Sequence, residues 1–317
     1  MPKYLVTGGA GFIGSHLVEE LLHRGASVRI ADDFSTGLRA NLPAAGTFEL
    51  VDGDLANPDI ASRAVAGCDI VIHQAAIPSV PRSIEDPVGS HRANVDATLN
   101  ILGAARAAGV RRVVFAGSSS VYGNSASLPK REDARPHPLS PYALQKLVSE
   151  QYCQMFTRLY GLETVTTRYF NVFGPRQQPG SPYSGVISLF IEALSEGKTP
   201  TVHGDGRQTR DFTYVADVVN GVLRATDAPG AAGEVINLAC GNRVSLLGLI
   251  DTLQIILGTH VKPHFGPERE GDVRDSQADI AKARHLLGFD PQVSLEDGLR
   301  KTVEWYQSTL ASSRTGR

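Results

Sequence analysis

Tyr4-Leu5-Val6-Thr7-Gly8-Gly9-Ala10-Gly11-Phe12-Ile13-Gly14 decides the fold. Tyr4–Thr7 is a short apolar run that reads as a strand. A helical pattern follows from about Ile13 to His23. Between them Gly8, Gly11 and Gly14 stand three apart. Residues without side chains let the backbone turn tightly and approach a pyrophosphate, whose charge then meets the N-terminus of the helix. The spacing gains weight from its context: it follows a strand, opens a helix and sits at the start of the chain.

Outward from this loop the pattern repeats. Val28–Ala31, Phe48–Val51, Ile70–His73, Val113–Ala116 and Thr164–Arg168 are apolar runs separated by helical stretches. Such alternation predicts βαβ units, and hence an α/β fold with a doubly wound parallel sheet of the Rossmann type. Asp32 ends the second run about 20 residues past the loop, where a carboxylate accepts from ribose hydroxyls. It also repels a 2′-phosphate, so NAD is favoured over NADP. Asp33 is a second ribose candidate. Asp54, in Asp52-Gly53-Asp54, is placed to bond the adenine amino group or simply to form a turn.

Past Asn171 the rhythm breaks into a loop rich in Gly and Pro, and apolar anchors resume at Val186. Glu234–Leu238 reads as one more sheet strand. Helices are expected at about Leu246–Leu257 and Leu295–Tyr306, with a frayed tail over Ser312–Arg317. Residues 1–170 are therefore expected to form the NAD-binding domain, with a return at about 211–240. Residues 171–317 are expected to form a smaller, discontinuous, mixed α/β substrate-binding domain.

Net charge is −2 over 317 residues, with no long run of one sign. Bulk attraction to nucleic acid or to an anionic membrane is not expected. No apolar stretch approaches the roughly 20 residues of a membrane span. The N-terminus lacks the apolar run of a signal peptide, and a cytoplasmic protein is expected. Cys68, Cys153 and Cys240 are odd in number and widely spaced. They predict buried thiols in a reducing compartment, with no zinc site and no other metal.

Ser140-Pro141-Tyr142-Ala143-Leu144-Gln145-Lys146 reads as a helix start, with Ser140 as cap and Pro141 at the first position. Gly161 is placed to end that helix in a left-handed turn. Tyr142 and Lys146 lie four apart and share a face. A nearby ammonium and the positive ring of an oxidised nicotinamide both favour the phenolate, which then takes a proton from a hydroxyl. Ser118-Ser119-Ser120-Val121-Tyr122-Gly123 follows the strand Val113–Ala116, at the sheet end where open parallel sheets bind ligands. A serine there holds the reacting oxygen, and at least one of the three satisfies loop backbone instead.

Over essentially its whole length the chain resembles the extended short-chain dehydrogenase/reductases, and within them the nucleotide-sugar 4-epimerases. The resemblance rests on the features above and on Arg168-Tyr169-Phe170-Asn171-Val172-Phe173-Gly174-Pro175, Gly204-Asp205-Gly206, Thr209-Arg210-Asp211-Phe212 and Arg269-Glu270-Gly271-Asp272. It implies Tyr142, Lys146 and Ser118 as catalytic residues. It implies Phe12, Ile13, Leu55, Gln74, Ala75, Ala76, Asn94 and Phe170 beside the glycines and carboxylates as NAD contacts. Ser119, Asn171, Val186 and His203 are implied on the UDP-sugar side. Arg210 and Arg269 are implied as the diphosphate clamp, and Asp272 as the uridine-ribose partner. Guanidinium forks suit phosphates on physical grounds as well.

The implied reaction removes a proton and a hydride at carbon 4, turns the 4-keto sugar over and returns the hydride to the other face. Related 4,6-dehydratases and decarboxylases carry carboxylates just after the catalytic Ser/Thr. Here those places hold Ser119 and Ser120, which cannot act as carboxylate acid or base. By the same resemblance Ser276 occupies the place where a bulky Tyr would exclude a 2-N-acetyl group. Gln74-Ala75-Ala76-Ile77-Pro78-Ser79-Val80-Pro81-Arg82-Ser83 resembles the 4-epimerases that prefer UDP-N-acetylglucosamine. UDP-GlcNAc/UDP-GalNAc turnover is expected, with UDP-glucose/UDP-galactose also accepted. A UDP-uronic acid 4-epimerase, another NAD-dependent nucleotide-sugar oxidoreductase and an NAD-sensing scaffold are the alternatives. A homodimer is expected through a four-helix bundle. Its helices would be Asn94–Ala108 and Pro141–Tyr160, carrying Leu99, Leu102, Leu147 and Phe156.

Overall fold

The structure is a computed structural model that describes residues 2–125, 127–178, 185–268 and 273–315. Strand β1 (Lys3–Thr7) leads into helix α1 (Phe12–His23) and strand β2 (Ser27–Asp32). Next come β3 (Glu49–Asp52), α2 (Pro58–Val65), β4 (Ile70–His73) and α3 (Ala97–Ala107). Then follow β5 (Arg112–Ser118), α4 (Pro141–Tyr160), β6 (Glu163–Tyr169), α5 (Val215–Ala225) and β7 (Val235–Leu238). These seven strands form one parallel sheet in the order β7-β6-β5-β4-β1-β2-β3. The direction of winding reverses between β1 and β4, which opens a crevice at the carboxyl ends of those two strands.

Both faces of the sheet are covered, as its unbroken apolar strands require. Val6, Ile30 and Ile72 pack with Leu17 and Val18 of α1 and Val218 and Val222 of α5. Leu5, Val71 and Phe115 turn the other way, onto Ala61 and Val65 of α2 and Ile101 and Leu102 of α3. The first of these cores continues without interruption into the later part of the chain, taking in Ile187, Val202, Leu249 and Leu253. Three two-stranded pairings organise that part. Val172–Phe173 lies beside Thr213–Tyr214, Thr201–His203 beside His264–Gly266, and Thr209–Arg210 beside Val244–Ser245.

Several expectations are refined. The last helix runs from Leu295 to Thr315, well past Tyr306 and into the stretch expected to fray. Cys68 and Cys153 are buried, whereas Cys240 is only partly so. Of the four apolar residues expected at a subunit seam, Leu102 and Phe156 are buried in the core of the same chain. Leu147 packs beside Val121 and Tyr122, and Leu99 is the one left exposed. Helical periodicity alone does not say which of two flanking faces meets the sheet. No helix among the described residues is long and apolar enough to cross a membrane.

Candidate active site

The glycine loop is built for close approach. Gly8 has φ +65°, and a Cβ there would stand 2.8 Å from the Ala75 amide. A Cβ on Gly14 would run into the Gly8 carbonyl oxygen. No side chain caps α1, so the amides of its first turn keep their donors for an anion. Asp32 fastens the loop from the next strand: its carboxylate accepts from the Ala10 amide at 2.9 Å and from the Phe34 amide at 2.9 Å. Burial raises its pKa, and those two bonds oppose the rise. Asp33 is exposed and accepts from the amide and hydroxyl of Ser35.

A cavity of about 700 Å³ opens above this loop. Gly8, Gly11, Phe12, Ile13 and Gly14 form one wall, and Asp32, Asp33, Asp54 and Leu55 another. Gln74, Ala75 and Ala76 follow β4 along its floor, and Ser118, Tyr142 and Lys146 close its far end. A cavity of this size, lined by an uncapped helix N-terminus and by carboxylates, fits a dinucleotide. Asp54 also accepts from Arg92 at 2.8 Å.

Local sequence explains the far end. Ser140 accepts from the Ala143 amide at 3.2 Å, Pro141 fills the first helical position, and Gly161 ends α4 at φ 72°. The Tyr142 amide donates to Ser83 Oγ at 3.0 Å, tying α4 to the short helix Val80–Glu85 that follows β4. Lys146 is buried and its Nζ donates to the Ala116 carbonyl at 2.9 Å, 4.9 Å from the centre of the Phe115 ring. Burial brings its pKa down to about 8. Burial pushes the Tyr142 phenol up, and a hydrogen bond with Ser118 pulls the other way. Among the chain's own groups, therefore, Ser118 favours the phenolate. Beneath them His73 is held neutral by burial, its pKa near 3, between Thr7 Oγ1 at 2.7 Å and Thr98 Oγ1 at 3.0 Å.

A second cavity of about 310 Å³ adjoins the first. Ser118, Ser119, Asn171, Arg210 and Ser276 line it, and so does Phe170, expected on the cofactor side. Asp211, fully buried, accepts from the amides of Cys240, Gly241 and Ala278 at 3.0–3.1 Å. It thus pins the segment bearing Ser276, and burial lifts its own pKa to about 7. Asn171 donates to the Asp211 carbonyl at 3.1 Å and adopts φ 36°.

Some named residues stand elsewhere. Asn94 lines neither cavity: it accepts from the Ile77 amide at 2.8 Å and donates to Gln145 at 2.8 Å, bracing the loop after β4. Val186 and His203 line neither cavity, and His203 bonds the Pro267 carbonyl. Arg269 and Asp272 lie outside the described residues. Conversely, the first cavity is also lined by Ser35, Thr36 and Gly37, and by Ile77, Pro78, Ser79 and Arg82. Gly37 was the available signal for the first group, since a Cβ there would stand 2.9 Å from Asp32 Oδ1.

The comparisons with known proteins agree with this geometry. The model of the NAD dependent epimerase/dehydratase family matches residues 4–239. The chain is 41% identical to the UDP-glucose 4-epimerase of Mycolicibacterium smegmatis, over 96% of this chain and 99% of that one. Its structure is similar to that of a UDP-N-acetylglucosamine 4-epimerase from Methanobrevibacter ruminantium, solved with UDP-N-acetylmuramic acid. There the TM-score is 0.93 at 36% identity, covering 97% of this chain and 99% of that one. It is similar also to a UDP-glucuronic acid 4-epimerase variant from Bacillus cereus, solved with a fluorinated UDP-glucuronic acid and NAD. There the TM-score is 0.91 at 34% identity, covering 97% and 99% of the two chains. The chain therefore belongs to the NAD dependent epimerase/dehydratase family, whose 4-epimerase members are isomerases that work with NAD as cofactor.

Proposed function

We propose that this protein interconverts UDP-hexoses at carbon 4, acting on UDP-GlcNAc/UDP-GalNAc and also on UDP-glucose/UDP-galactose. The observation that carries the reading is the meeting of the two cavities at Ser118, beside Tyr142. A dinucleotide in the first cavity and a sugar in the second would come together there. The bound dinucleotide supplies an acceptor that takes a hydride and later gives it back.

The chain's residues supply the rest. Tyr142 accepts the proton of the 4-hydroxyl and returns it at the end of the cycle. Ser118, which lines the first cavity with that phenol, steadies the reacting oxygen. Its hydroxyl is already oriented by Ser120, with the two oxygens 2.8 Å apart. Lys146, anchored on Ala116, puts a buried positive charge at the end of β5. Arg210, in the lining of the second cavity, would meet the diphosphate, and the small Ser276 there would leave room for a 2-N-acetyl group. Ser119 and Ser120 offer no carboxylate for dehydration or decarboxylation.

One observation favours a second reading, 4-epimerisation of a UDP-uronic acid. The Arg82 guanidinium lines the first cavity and has no hydrogen bond or ion pair among the described residues. It could meet a substrate carboxylate. Incubating the enzyme with UDP-GlcNAc, UDP-galactose, UDP-glucose and UDP-glucuronate without added NAD decides between them. Conversion of the first three supports the main reading, and conversion of UDP-glucuronate alone supports the second. If all four come back in their starting configuration, both readings fail.

The reading includes a homodimer. Leu144, Met155 and Leu159 of α4 are exposed and lie at helical spacing on one face, and Leu99 of α3 is exposed too. Sedimentation of the parent beside Leu144→Glu/Leu159→Glu tests it, with a monomeric variant expected.

A further inference from the structure

Three residues line both cavities: Ser118, Tyr169 and Asn171. They frame the neck between the dinucleotide space and the sugar space. Ser118 and Tyr169 are register partners at the carboxyl ends of β5 and β6. Tyr169 is also held from the far side of β5. The Gln74 amide nitrogen donates to its hydroxyl at 2.9 Å, and that hydroxyl faces Gln74 Oε1 at 3.2 Å. Gln74 follows β4, so the pair bridges from β4 to β6 across β5 at the sheet end where chemistry is expected.

We propose that Tyr169, locked by Gln74, is a positioning residue that forms the fixed wall of this neck and retains the oxidised sugar until its hydride comes back. The inference rests on the 4-epimerase reading above. Midway through that reaction the sugar has lost a hydride from carbon 4 and a proton from its hydroxyl, leaving a ketone. The proton is on Tyr142, and the two electrons have gone to the dinucleotide. The ketone must turn over inside the neck without leaving. If it escapes, the enzyme is stranded with a reduced dinucleotide and cannot begin another cycle. A rigid wall limits that escape, whereas a phenol free to swing would widen the neck. Burial raises the Tyr169 pKa to about 12, so this second phenol stays neutral and does not compete with Tyr142 as a base.

The test compares parent, Tyr169→Phe and Gln74→Leu, each carrying its full complement of dinucleotide. Each is given UDP-galactose and UDP-GlcNAc, and two quantities are read: epimerised product, and substrate-dependent growth of reduced-nicotinamide absorbance. The parent is expected to complete many turnovers per stranding event. Both variants are expected to strand about tenfold more often per turnover, with released 4-keto sugar trapped in equal amount, while kcat falls only a few-fold. A residue that merely braced the sheet would lower the melting temperature and leave the partition unchanged, and that result overturns the proposal. Should Tyr169→Phe fail to fold, Gln74→Leu carries the comparison, since it leaves the phenol in place and removes its lock. A parent that turns over no UDP-sugar sinks the underlying reading and this proposal with it. A parent that turns over, beside variants that partition as it does, sinks this proposal alone.

Discussion

The Lys146 ammonium is buried one turn after Tyr142 and donates to the Ala116 carbonyl at 2.9 Å. It is a charge kept in a largely apolar place: among the described residues its hydrogen bond goes to Ala116, with the Phe115 ring, Cys153 and the neutral His73 nearby. Removing a buried charge together with its desolvation is often neutral or stabilising. Lys146→Met is therefore expected to lose about 100-fold or more in kcat, on the scale of positioned acid–base groups. Its melting temperature should hold or rise. The pH dependence has a definite sign. The unfolded Lys keeps its proton to about pH 10.4, whereas the folded one releases it near 8. Between those values the unfolded chain binds more protons, so this group makes stability rise with pH, and below about 8 its cost is constant. Thermal melts of parent and variant from neutral to alkaline pH check this. A variant that is both active and less stable would refute it.

Gly14 lies against the Gly8 carbonyl with no room for a side chain. Gly14→Ala must push the first turn of α1 away from the loop, which misplaces the uncapped amides. The expected outcome is loss of dinucleotide from the purified protein and a drop in melting temperature. Gly25, which has open space around it but φ +74°, provides the contrast. Gly25→Ala should cost some stability and leave dinucleotide content unchanged, which absorbance of the released cofactor measures.

What could be read in the sequence divides along a physical line. The glycine loop and the Tyr142/Lys146 pair are local: their chemistry needs only a turn, a helix start and a spacing of four, and each stands where expected. Asn94 was not legible in that way. Its partners Ile77 and Gln145 are 17 and 51 residues away, and only the folded chain shows them occupying its side chain. The Gln74–Tyr169 bridge spans 95 residues and joins strands that are not sheet neighbours. Sequence patterning marks each strand as buried but carries no information about which end residues meet above it. Leu102 and Phe156 show the same limit, since an apolar stripe does not identify its partner.

Ser276 is nearly buried in the wall of the second cavity, and its amide donates to the Thr209 carbonyl at 3.1 Å. That bond and the Asp211–Ala278 bond hold the segment close, so a larger side chain must project into the cavity. Ser276→Tyr is expected to abolish turnover of UDP-GlcNAc and UDP-GalNAc and to retain most of the activity toward UDP-glucose and UDP-galactose. Ratios of kcat/KM for the two substrate pairs measure it. Equal loss toward both pairs would show that Ser276 does not set the space beside carbon 2.

Arg168 and Glu150 form a buried two-pronged pair, Nε to Oε2 at 2.8 Å and Nη2 to Oε1 at 2.6 Å. The pair joins α4 to β6 one residue before Tyr169, and the guanidinium lies 4.6 Å from the centre of the Tyr122 ring. Arg168 Nη1 already lacks a partner, so the site has no spare acceptor. Glu150→Ala strands the cation and should destabilise the protein by about 3–5 kcal/mol. Glu150→Leu with Arg168→Met removes both charges and should recover most of that loss. Its KM for the UDP-sugar should nevertheless rise, because Tyr169 and Asn171 are then less firmly placed. Urea unfolding of the three proteins, with kinetics on the double variant, separates the two effects. A single variant costing under about 1 kcal/mol would mean that water reaches the pair and that burial is not what makes it matter.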